Sequence, residues 1–78
     1  MPMYLNIQLG CYELADGGYT PHFMIIEHDG LNTRTIPFDC QEKAKTEKEA
    51  IDIAKSQAFA HINDTYPGNT KFRILDDR

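Results

Sequence analysis

The segment Thr46-Glu47-Lys48-Glu49-Ala50-Ile51 fixes where this chain starts a helix. Thr46 is suited to accept a hydrogen bond from the free N–H of Glu49. The Glu49 carboxylate is suited to reach back to the N–H of Thr46, and the two bonds make a capping box. Residues before this point alternate at the strand period, and residues after it repeat at the helical period for about four turns. The expected fold is therefore α+β: an antiparallel sheet of three to four strands in β-β-β-α-β order, with one helix packed on one face. All 78 residues form a single small domain, without internal repeats or linkers.

Met3 to Leu14 reads as the first strand, with Met3, Leu5, Ile7, Leu9 and Cys11 on one face. Tyr12 and Leu14 continue the apolar set from even positions, so a bulge is expected at Gly10 to re-phase the faces. Asp16-Gly17-Gly18 is a turn signal, and the second strand runs from about Tyr19 to Glu27 or His28. Phe23 and Ile25 oppose Met24 and Ile26 there, a double-sided pattern that suits the middle of a sheet with both faces at least partly covered. Pro21 near its start removes one ladder donor. Asp29-Gly30 marks a second hairpin. The third strand covers about Thr33 to Cys40, with Ile36 and Phe38 inward, and Pro37 points to a sheet edge or to a place where pairing is interrupted.

The helix is expected from Glu47 to about Asn63. Ala50, Ile51, Ala54, Ala58 and Ile62 share one arc of the wheel, with Phe59 at its margin, and this stripe should face the sheet. Tyr66-Pro67-Gly68-Asn69 makes a turn, and Thr70 to Leu75 supplies a short last strand.

A chain this short hides only about 60% of the surface that its unfolded form exposes. Self-association is a common remedy for the modest stability that follows. Twelve acidic against eight basic residues give a net charge of −4, and Glu42, Glu47, Glu49 and Asp52 interleave with the lysines at 43, 45, 48 and 55. No basic face for phosphates results, so nucleic acid is not an expected partner. No apolar run reaches the roughly 18 residues of a membrane span. The first residues lack the charge and apolar core of a signal peptide, which makes the cytoplasm the expected location.

Few residues invite chemistry. Folding about the two turns places Cys11 near His22 or Phe23, and those residues near Phe38 or Asp39. The two cysteines then sit two strand spacings apart, about 9–10 Å, which exceeds the reach of a disulfide. The same layout brings Cys11, His22 and Cys40 to one level of the sheet as a candidate metal set, although their spacing matches no compact zinc signature. Glu27 and Asp39 are candidates for a cross-strand carboxylate pair. No nucleophile with a base beside it and no phosphate-binding loop is found, so neither an enzyme nor a cofactor is expected. Ile53 and Ala60 lie off the buried stripe of the helix. With Tyr4 and Tyr12 on the sheet face away from the helix, they form the candidate interaction surface for a protein partner or a second copy.

Two segments, Asp16-Gly17-Gly18-Tyr19 opening a strand and Thr46-Glu47-Lys48-Glu49-Ala50 opening the helix, resemble the HicB-type antitoxins. That resemblance implies a β-β-β-α-β domain that binds a small RNA-cleaving toxin. The chain lacks the Pro-Gly-Cys type segment after the second strand, the Gly-Asp/Glu-Thr lead into the helix and a DNA-binding extension. It is similar as well to small bacterial β-β-β-α-β domains of unknown function. The expected role is a non-enzymatic protein-binding or regulatory module. A HicB-like antitoxin and a small-ligand or metal-binding domain are the alternatives.

Overall fold

The computed structural model describes residues 3–75. Three strands, β1 (Tyr4–Glu13), β2 (Tyr19–Asp29) and β3 (Asn32–Asp39), precede the helix α1 (Glu47–Thr65), and β4 (Lys71–Leu75) follows it. The sheet order is β3-β2-β1-β4. β1, β2 and β3 pair antiparallel, but β4 lies parallel to β1, so the sheet is mixed where a purely antiparallel one was expected.

The helix explains the parallel pair. Ala44 bridges to Tyr19 at one end of β2, and the Tyr66 hydroxyl reaches Glu27 toward the other end. α1 thus runs back along β2, and the strand after it must point the same way as β3 and β1. Parallel strands need a crossover of this kind. Strand alternation looks the same for either direction, so nothing in the pattern itself corrected the antiparallel expectation.

Both hairpins close on glycine. Leu14 donates its N–H to the Gly18 carbonyl at 2.7 Å, and Gly17 donates back to Leu14 at 3.0 Å. Gly17 has φ 91°, a left-handed conformation that follows naturally from a short turn. Asp29 pairs with Asn32, leaving Gly30 and Leu31 as a two-residue loop with Gly30 at φ 65°. Positive φ at the first loop position alone is the pattern of a type II′ hairpin.

The register of β1 on β2 is continuous from Tyr4↔His28 to Glu13↔Tyr19, so the expected bulge at Gly10 is absent. Gly10 serves a different purpose. A Cβ there would stand 2.5 Å from His22 Cε1, because the imidazole lies across the bare glycine backbone. Tyr12 therefore faces away from the helix instead of continuing the inward set.

Leu5, Ile7, Phe23 and Ile25 point toward α1 and are buried against Ala54, Ala58 and Ile62. The small side chains at Ala50, Ala54 and Ala58 let the helix backbone approach the strands closely. Its start is fixed by one of the two bonds that the capping box predicts: Thr46 Oγ1 accepts the Glu49 N–H at 3.1 Å. Phe59 meets Phe72 of β4 at 5.6 Å between centroids, and His61 meets Phe38 of β3 at 4.4 Å. The helix covers one face only, and Met24 and Ile26 on the other are half-buried, in keeping with the central strand, at least partly covered on both faces, that the pattern predicts.

Pro37 sits on the edge strand β3, as its missing donor requires. The Cys40 N–H donates to the Pro21 carbonyl, which sets the phase of the ladder. Bonded positions alternate in an antiparallel pair, so the backbone nitrogen of Pro37 points outward and no bond to β2 is lost. Any strand approaching β3 from outside meets a gap at that position.

Candidate functional site

Strand alternation sorts the side chains onto two faces. The side away from α1 holds the even positions of β1 and β2. It contains Tyr4, Tyr12, His22, His28, Met24 and Ile26, and no element covers it among the described residues. Tyr4 and Tyr12 are 50% and 56% exposed. Each stacks on a histidine of β2. The Tyr4 and His28 rings lie 4.5 Å apart at 14°, and those of Tyr12 and His22 lie 4.3 Å apart at 24°. Asn6 Nδ2 lies 2.9 Å from His28 Nε2 and orients that ring further. Tyr4 and His28 are direct cross-strand partners, whereas Tyr12 reaches His22 diagonally over the space left by Gly10. Aromatic pairs of this kind rigidify a sheet face and present flat, amphipathic area to a partner.

The charge of this face differs from that of the chain. Among the described residues its only charged strand positions are Asp39, Lys71 and Arg73, while α1 carries Glu47, Lys48, Glu49, Asp52, Lys55 and Asp64. Tyrosine, methionine and arginine with few carboxylates is the composition found at the centre of protein interfaces.

The surface expected from sequence does not form as one patch. Ile53 and Ala60 lie on α1, Tyr4 and Tyr12 lie on the opposite side of the sheet, and the strands separate the two pairs. Ile53 is half-buried and Ala60 exposed. The tyrosine half belongs to a continuous face; the helical half stands apart from it.

Cys11, His22 and Cys40 do not converge either. Cys11 pairs with Pro21, and Cys40 bonds to that same residue from the far side, so β2 runs between two free thiols. Cys40 belongs to the core under α1. His22 is one residue further along and faces the other way, stacked on Tyr12. Burial, then the carboxylates of Glu42 and Asp39, push the Cys40 thiol above its ordinary value, which suppresses thiolate chemistry. Among the described residues no group of three or more His, Cys, Asp or Glu side chains is placed to hold a metal.

Glu27 and Asp39 are apart as well: Arg34 stands opposite Glu27, and His22 opposite Asp39. Glu27 accepts the Tyr66 hydroxyl at 2.5 Å and both Arg34 Nε and Nη2, at 3.0 and 3.2 Å. The Tyr66 bond first, then Arg34, hold the Glu27 carboxyl below its ordinary value. Burial, then the Glu27 bond, push the Tyr66 phenol up to about 12. Carboxylate and phenol each satisfy the other, so this is a strut between the end of α1 and β2 and not an acid/base pair. Because the folded value of Glu27 is depressed, its stabilisation is complete above the ordinary 4.5 and is lost as pH falls through the folded value. Thermal melts between pH 6 and pH 3 should show a steeper loss for the wild type than for Glu27→Gln. Equal slopes would remove the strut from the account. Tyr66, with its value raised, works in the opposite window: its contribution is full below pH 10 and fades as pH climbs toward about 12.

No helix among the described residues is long and apolar enough to cross a membrane. A scan against protein-family models, a search of curated proteins and a search of solved structures each gave no match to this chain.

Proposed function

We propose that this chain is a non-enzymatic module that binds another protein through the open face of its sheet. One observation carries the reading: a four-stranded sheet has its helix on one side, and its other side presents two exposed tyrosines stacked on histidines around Met24 and Ile26. A contiguous, weakly charged aromatic face of this kind marks an interaction surface more often than scattered apolar residues do.

The test pairs the wild type with a Tyr4→Asp/Tyr12→Asp double variant. Both side chains are half-exposed, so circular dichroism should report an unchanged fold. Light scattering across concentration, with affinity capture from cells expressing the chain, should give an assembly or a bound protein that the double variant loses at least about tenfold. A wild type that stays monomeric and recovers only what the variant recovers would end the proposal.

A HicB-like antitoxin is a narrower form of the same reading. The β-β-β-α-β order and the tight hairpin at Asp16-Gly17-Gly18-Tyr19 favour it. The net charge of −4 suits a small basic toxin. A toxin-like reading frame beside this one would support that form, and its absence would count against it.

A further inference from the structure

We infer that the outer edge of β4 takes up an extended segment of the partner protein as a fifth strand, one whose side chains alternate between acidic and apolar. This rests on the protein-binding reading and names its mode. The two sheet edges are not equivalent. Pro37 interrupts the β3 edge, whereas β4 contains no proline. In the parallel pair, Lys71, Arg73 and Leu75 turn their backbone groups toward β1, so the N–H and C=O of Phe72 and Ile74 point outward. No strand lies beyond them among the described residues. Main-chain bonds along such an edge supply affinity, and alternate side chains supply specificity.

The side chains define the occupant. On the helix side Phe72 is 45% exposed although it touches Phe59. α1 lies over β1 and β2, so an apolar side chain from an added strand has Phe72 and Ile74 to cover. On the open side Lys71 and Arg73 have no carboxylate partner among the described residues. They border a depression of about 340 Å³ lined also by Tyr4, Leu5, Asn6 and Phe72. Acidic side chains on that side of the added strand would meet both cations.

A second copy fits poorly. Antiparallel β4 strands centred on Arg73 set Arg73 against its own counterpart, and centring on Phe72 sets Lys71 against Arg73 of the other copy. Like charges directly opposite are destabilising. Centring on Ile74 pairs only residues 73–75 of the described strand.

The test uses the full chain, isotope-labelled, with two short capped peptides: one alternates valine and glutamate, the other valine and lysine. The glutamate peptide should shift the amide signals of residues 71–75 and slow exchange at Phe72 and Ile74. A Lys71→Glu/Arg73→Glu variant should lose about tenfold for the glutamate peptide and gain for the lysine peptide. Ile74→Pro, which deletes an outward donor, should weaken both. Failure of the glutamate peptide to bind, binding that ignores charge reversal and Ile74→Pro, or shifts confined to the face around Tyr12 would each overturn strand addition. None of these results depends on the Tyr4→Asp/Tyr12→Asp experiment, which judges the open-face reading separately.

Discussion

Ile25→Ala should unfold this chain more readily than any surface change, with a loss of about 3–4 kcal/mol. Ile25 is fully buried, sits opposite Ile7 on β1 and Ile36 on β3, and lies beneath α1. Strands pinned on both sides cannot close over the space left behind, and the alanines of the helix have no atoms to extend into it. In a domain of this size each kcal/mol moves the melting temperature by about 4–8 °C. Thermal circular dichroism should therefore record a fall of roughly 15 °C or more. A fall under roughly 5 °C would mean that the helix does not sit on this part of the sheet.

The opposite manoeuvre should be nearly as damaging. Ala54→Leu adds bulk where the helix packs on the strands, at a position with no exposure. Side chains already packed from Leu5, Ile7 and Ile25 leave it nowhere to go, and overpacking of this kind costs about 1–3 kcal/mol. Ala60→Leu is the matched control: the same added volume on an exposed position of the same helix should stay within about 0.5 kcal/mol. The measurement is chemical denaturation of both variants beside the wild type. Equal midpoints for the two leucine variants would refute the close approach that the alanine stripe implies.

The elements themselves were legible because each had a local signature. Thr46 and Glu49 mark the helix start, Gly17 and Gly30 the hairpins, and Pro37 the edge. The tyrosines of the site were legible but their histidine partners were not, and for His22 the reason is a single register step. The first hairpin turns about Asp16, so Cys11 meets Pro21 instead of His22 or Phe23. One residue of slip moves a side chain to the other face of a sheet. That step takes His22 away from the thiols and lays it on Gly10, whose irregular neighbourhood looked from sequence like a bulge. Alternation alone held the clue: Tyr4 and Tyr12 share the parity of Asn6 and Gln8, the outward set of β1. Nor was the direction of β4 readable, since five alternating residues look alike in either orientation.

The outward nitrogen of Pro37 has a consequence for how such molecules aggregate. Fibrils grow only when every unit is adhesive at two ends, so that each arrival offers a fresh template to the next. Here one margin of the sheet lacks a donor in its middle, and a chain that recruits a neighbour at β4 turns a capped side toward solvent. Growth past the first addition must then cross that gap, so the ring of one proline works against polymerisation from the β3 side.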